Sequence, residues 1–166
     1  TLAGLRLGIP AGFWAGLDTG LAAVAQAARD KLAAAGVVFV DVDLAGLDAL
    51  NAQVSFQIAL HEPVADLPAY LAAHGSALTL ADVAAGVASP DVRGAFGAIL
   101  ADVYGLAYVD AIGVHRPALQ ALYAAAFADQ RIEALFFPTT ILPAAVIDAV
   151  NGSSTVSVNG GAPVVF

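Results

Sequence analysis

The chain has 166 residues, 60% hydrophobic and 12% charged, with a net charge of −8. Its six cations, Arg6, Arg29, Lys31, Arg93, Arg116 and Arg131, are too scattered to form a basic stripe, which argues against nucleic acid as a partner. With no cysteine, disulfides and thiolate metal sites are excluded, and a reducing cytoplasm is the expected setting.

The first predicted element is a short strand, Leu5-Arg6-Leu7-Gly8-Ile9-Pro10, closed by its proline and followed by a loop at Gly12 and Gly16. Asp18 and Thr19 offer caps for an alanine-rich helix to Ala35. Leu21, Val24, Ala28, Leu32 and Ala35 are expected on its inner face and Gly36 at its end. A β-branched run from Val37 to Leu44 predicts a second strand. Strand, helix and strand within so short a stretch predict a βαβ unit with parallel strands.

The middle reads as helical. Leu47 to Leu60 is apolar at helical spacing, and Pro63 falls in the first turn of the next helix or at a kink, which continues from Ala65 to His74 and stops at Gly75. Thr79 with Asp82 makes a capping-box variant. Ser89-Pro90 repeats the device, with serine as cap and proline at the first helical position, for a helix to about Ala101. Gly105 and Gly113 weaken the pattern before a last long helix, Arg116 to Gln130. Ala134 to Pro138 predicts a third buried strand, parallel to the first two. From Thr139 the prolines and glycines read as loop, with a short edge strand at Val156 to Val158.

No run of about 18 uninterrupted apolar residues is present for a membrane span, since Ala134 to Val150 is broken by Pro138, Pro143 and Asp148. The apolar excess over the usual balance of about 45–50% apolar and about 25% charged has two explanations. One is a GC-rich genome favouring Ala, Gly and Val; the other is a surface that further chain covers. The absence of methionine and the closing Val164-Val165-Phe166 lead us to expect a piece of a longer polypeptide.

Local chemistry is sparse. Asn151-Gly152-Ser153-Ser154 and Asn159-Gly160-Gly161 read as turns flanking a strand, because no G-x-S-x-G elbow is present. His61-Glu62 opens like a zinc-protease motif, but Ala65 stands where its second histidine belongs. His74 suits a helix C-terminus, His115 lies near a helix start, and Lys31 sits on a solvated helix face with no neighbour to activate it. Gly8-Ile9-Pro10-Ala11-Gly12 lacks dinucleotide-loop spacing.

Taken together and in order, four segments resemble the amidase signature family, in its indoleacetamide and mandelamide hydrolase group. They are Leu2 to Pro10 with Phe13-Trp14 and Leu17-Asp18, then Leu32 to Val42. The third is Phe56 to Glu62 with Asp66 to Leu71 and Ser89 to Val92, and the last is Glu133 to Thr140 with Leu142-Pro143. The resemblance implies an α/β fold: a partial, mostly parallel sheet with covering helices and a helical insert. It divides the single segment into a βαβ unit (1–44), the insert (45–130) and a strand plus loop (131–166). It also implies hydrolysis of a small aryl or alkyl carboxamide by a serine nucleophile, a second serine and a lysine, without metal or organic cofactor.

Those catalytic residues belong to a Gly/Ser-rich stretch that does not match this chain, so no catalytic residue is assigned and the isolated chain is expected to be inactive. Phe56, His61 and Thr140 are the candidate substrate-binding residues. The expected partners are a small-molecule amide and, through exposed apolar surface, other chain or a second copy; no membrane is expected. The competing expectations are a stand-alone, non-catalytic α/β binding domain and an assembly piece that works beside a nucleophile-bearing chain.

Overall fold

A computed structural model describes residues 1–145 and 155–165, which divide into two compact units. The first comprises Thr1–Leu44 and Leu122–Phe166, the second Ala45–Ala121, and the later division falls inside a helix.

In the first unit, β1 (Arg6–Pro10) is flanked by two parallel strands, β2 (Val38–Val42) and β3 (Ala134–Leu135), in the order β2-β1-β3. The central strand is buried from Leu7 onward, as a parallel strand covered on both faces should be. Gly8 is required there by space. A β-carbon on it would lie 2.6 Å from Ile132 Cδ1, 2.7 Å from Val42 Cγ2 and 2.9 Å from Leu135 Cδ2. The core is completed by Leu17, Val37 and Leu142.

The third strand is shorter than the apolar run from Ala134 to Pro138 suggests. The ladder ends at Phe136, whose amide donates to the Gly8 carbonyl (2.8 Å), and Pro138 has no amide to extend it. Trp14, in a 3-10 turn at Ala11–Trp14, donates its indole N–H to the Phe136 carbonyl (3.0 Å). Arg6 tethers the same edge through bonds to the carbonyls of Arg131 (2.9 Å) and Gln130 (3.0 Å).

The crossover helix α1 (Thr19–Ala34) is capped by Asp18, whose Oδ1 accepts from the amides of Gly20 (2.9 Å) and Leu21 (3.1 Å). Its inner face is rotated from the expected one. Leu21, Ala22, Ala25, Ala28, Arg29 and Leu32 are half-buried, whereas Val24 is 68% exposed and Ala35 is exposed. The stripe was misplaced because alanines on either side carry almost no pattern. A hairpin of β4 (Thr155–Ser157) and β5 (Pro163–Val165) turns at Asn159. The side chain of Asn159 accepts from the Thr19 amide (3.0 Å) and donates to the Leu17 carbonyl (2.8 Å). Residues 151–154 of the first serine-bearing turn lie outside the described residues.

The second unit is helical. The run from Leu47 to Leu60 is two helices, α2 (Leu47–Ala52) and α3 (Ser55–Ala59), not one. The break falls at Gln53-Val54, where Val54 turns inward and is buried. Local side chains stabilise the break. Gln57 donates to the freed Ala52 carbonyl (3.1 Å), and the Ser55 hydroxyl bonds Asn51 Oδ1 (2.6 Å). Helix α4 (Pro63–Ala73) begins on its proline, as expected, and carries Pro68 in its interior.

Helix α5 (Leu80–Gly86) carries the full capping box: Thr79 accepts from the Asp82 amide (3.1 Å) and Asp82 from the Thr79 amide (2.9 Å). Helix α6 (Pro90–Leu100) also starts on its proline, but Ser89 donates its hydroxyl to the Asp91 carboxylate instead of capping the backbone.

The helical run breaks at the turn before Gly105, as expected, but Gly113 does not interrupt it. α7 (Gly105–Asp110) runs through a π turn at Ala111–His115 into α8 (Arg116–Gln130). There the Arg116 amide reaches back to the Ala111 carbonyl, and the wide turn relieves the clash a proline at 117 would make in a regular helix.

Helix ends share one device. After α1, α4, α6 and α8 the paired amide-to-carbonyl bonds of a Schellman turn are present, with the residue beyond the cap in left-handed conformation. Glycine fills that position at Gly36 and Gly75. Asp102 (φ 45°) and Arg131 (φ 51°) fill it at the other two.

Candidate functional site

The candidate residues fall in both units. Thr140 belongs to the loop after β3 in the first, where its hydroxyl donates to the Leu142 carbonyl (2.6 Å). Phe13 and Phe137 meet edge-to-face in the same unit, with ring centroids 4.7 Å apart. Phe56 and His61 belong to the second unit. Phe56 is 63% exposed on α3, a large apolar side chain with little packing of its own. Lys31 is exposed on α1, and His74 caps α4 by bonding the Tyr70 carbonyl (2.8 Å). His115 is half-buried at the end of the π turn. Among the described residues no three His, Asp or Glu side chains gather as a metal site would require.

His61 stands at the junction of α3 and α4 within a polar cluster. Its Nδ1 lies 2.6 Å from Asp102 Oδ1, 41 residues away in sequence. A carboxylate only accepts, so Nδ1 carries the proton and the neutral ring keeps its lone pair on Nε2. The Tyr108 ring lies against the imidazole, centroids 4.3 Å apart, and its hydroxyl donates to Glu62 Oε1 (3.0 Å). That bond, followed by partial burial and the negative charges of Glu62 and Asp66, holds the Tyr108 hydroxyl above its ordinary pKa; Arg116 opposes the shift.

Glu62 also forms part of the wall of an open groove of about 500 Å³. The other lining is mostly apolar, with Ile58, Leu67, Tyr70, Phe96 and Ile99 prominent and Asp66 in the first turn of α4, which Glu62 precedes. Such a groove suits a ligand with an aromatic or alkyl body. Gln57 Oε1 is buried with no partner among the described residues, and nothing in the structure accounts for it.

Sequence reasoning reached His61 but missed Asp102, Tyr108 and Gly105. The local signal was there in part: an Asp three residues before a glycine between two helices marks a turn. Nothing in that spacing says which side chain the aspartate will meet.

Comparison with solved structures places the fold. A chain described as a crystal structure of amidase superposes with a TM-score of 0.68 at 22% identity, covering 98% of this chain and 33% of its own length. The architecture is accordingly a partial amidase fold, α/β with a parallel sheet.

Sequence comparison narrows this further. No family model matches the chain. The indoleacetamide hydrolase of Rhizobium radiobacter is 36% identical over 146 residues, covering 86% of this chain and 31% of that protein. Its namesake from Agrobacterium vitis is 35% identical over 162 residues, and the mandelamide hydrolase of Pseudomonas putida is 30% identical over 147. Over most of its length the chain is thus similar to one stretch of these amide hydrolases. It spans about a third of the length of the curated relatives it matches. No single helix among the described residues is long and apolar enough to cross a membrane.

Proposed function

We propose that this chain is the scaffold and substrate-side part of an amidase that hydrolyses a small aryl or alkyl carboxamide to carboxylate and ammonia. The observation that carries this is the ordered similarity to indoleacetamide and mandelamide hydrolases over most of the chain. The nucleophile is a serine outside this segment. It attacks the amide carbon while a lysine and a second serine move protons and backbone amides hold the oxyanion. Neither a metal nor an organic cofactor enters the reaction. In this reading residues 45–130 are the helical insert of the family, and Phe56, His61 and Thr140 contact the amide substrate. The cytoplasm is its compartment, a small amide its partner, and exposed apolar side chains such as Val24 and Leu106 support association with further chain.

Two measurements test this. The purified chain, incubated with indole-3-acetamide, releases no ammonia. Grafted into the Rhizobium radiobacter hydrolase in place of its matching segment, it sustains hydrolysis. Ammonia release by the chain alone, lost on replacing Ser153 and Ser154 by alanine, would overturn the external nucleophile. A folded chimera that binds no carboxamide would overturn the amidase assignment.

A further inference from the structure

Asp102 occupies the position beyond the cap of α6 where Gly36 and Gly75 stand in the equivalent turns. A left-handed aspartate is conformationally costlier there than glycine. Its backbone does nothing that glycine could not do, but its carboxylate reaches His61 at 2.6 Å. Gly105 makes room for this. A β-carbon at that position would fall 2.5 Å from Asp102 Oδ2, so any other residue displaces the carboxylate. Tyr108 covers the imidazole and is itself held by Glu62, which lines the apolar groove. Four groups from two separate stretches thus fix one ring. With Nδ1–H given to Asp102, Nε2 has no hydrogen-bond partner among the described residues. His61 keeps 27% of its side-chain surface exposed.

We propose that Asp102 is a positioning residue: with Gly105 it locks His61 in the Nδ1–H tautomer, so that Nε2 is a fixed acceptor for an N–H of a primary carboxamide whose apolar body occupies the adjoining groove. This rests on the amidase reading above and adds how the amide end is recognised. The geometry asks for a ligand with a polar N–H head and an aromatic or alkyl tail. An anion is disfavoured by Asp102 at the ring and by Glu62 and Asp66 in the groove wall.

The test uses the 166-residue chain at about pH 8.5, where an ordinary imidazole is neutral, with indole-3-acetamide as the probe. Imidazole ¹⁵N shifts report the tautomer of His61, assigned against His61→Gln. Wild type is expected to show the Nδ1–H form, and the probe to shift the Nε2 resonance. Asp102→Gly restores the residue that the turn prefers, so it folds at least as well, yet it should mix the tautomers and weaken probe binding about fivefold, the loss of one hydrogen bond. Gly105→Ala should do the same by pushing the carboxylate aside. Asp102→Asn, which keeps an acceptor and tolerates the left-handed conformation, should stay within about twofold of wild type. An unchanged His61 tautomer in Asp102→Gly overturns the proposal, as does a mixed tautomer with unchanged probe affinity. A locked tautomer in wild type with no carboxamide bound at all would instead sink the amidase reading, and this recognition role with it.

Discussion

The two units stabilise themselves by different means. In the first, side chains far apart in sequence share a core: Leu7, Ile9 and Val42 from the strands meet Leu17, Ile132 and Leu142 from the connections. In the second, only Val54, Ile99 and Ala111 are buried, while Phe56, Leu100, Val103, Leu106 and Val109 stay exposed. Order there comes from local devices: the Thr79–Asp82 box, prolines at helix starts, the Gln57 bond to Ala52, and the polar cluster around His61. A core built from distant residues is rigid and intolerant of substitution. A surface held by local caps and polar pairs leaves apolar groups free to meet a ligand or further chain. On the reading proposed above, Phe56 and His61 are the groups of the second unit to test for recognition. Trp14, the only tryptophan, reports on the first unit, and far-UV circular dichroism is dominated by the helices of the second.

The largest effects should fall in the sheet. Ile9→Ala removes a buried side chain from the central strand and should cost about 3 kcal/mol, read as an early denaturant midpoint in Trp14 fluorescence. Gly8→Ala adds volume where Val42, a stiff β-branched neighbour, cannot retreat, and should cost about 2 kcal/mol. If Gly8→Ala left the Trp14 transition unmoved, the crowded centre of the sheet would be wrong. Both changes should leave the His61 imidazole resonances in place, because the polar cluster lies wholly within the other unit.

This division also explains which parts were legible in the sequence. The strand–helix–strand opening was readable because period, Asp18 cap and Gly36 stop agree within a short stretch. The alanine-rich face of α1 was read rotated, because alanine is equally at home inside and outside. The division of α2 from α3 was missed because the inward turn of Val54 is a tertiary event without a glycine or proline to announce it. The π turn was missed for a related reason: Gly113 looked like a breaker, whereas Pro117 is what the backbone accommodates. Phe56 and His61 came from the family resemblance, but Asp102, which decides the state of His61, is 41 residues distant and locally resembles any turn residue.

Smaller effects test the local devices. Thr79→Ala removes one side of the capping box and should cost about 1 kcal/mol, visible in helicity and absent from Trp14 fluorescence. Acid should act on the same turn. The hydroxyl and amide of Thr79 hold the Asp82 carboxyl below its ordinary value of 3.8, so its contribution is present above that pH and fades as pH falls through the depressed value. In Thr79→Ala the acid dependence of helicity should be shallower. Alkali probes the cluster instead. Because its bond to Glu62 raises the Tyr108 hydroxyl above 10.0, that bond's contribution is complete below the ordinary tyrosine range and is lost as pH rises through the higher folded value. Phenolate absorbance should therefore show one tyrosine ionising later than the others, and Tyr108→Phe should remove that late step.

The smallest stability effect carries the most functional information. Phe56 is 63% exposed, so Phe56→Ala gives up little buried area and should change stability by no more than about 0.5 kcal/mol. A core residue of that size would cost about 3–5 kcal/mol on the same truncation. An exposed phenylalanine one short helix before His61, on a unit with few buried apolar groups, has its surface available for a ligand's apolar body. Affinity for indole-3-acetamide should therefore fall while the thermal midpoint holds. A large loss of stability would show that Phe56 is packing after all. An unchanged midpoint with unchanged affinity would remove it from the substrate surface and leave His61 as the only contact that the second unit offers.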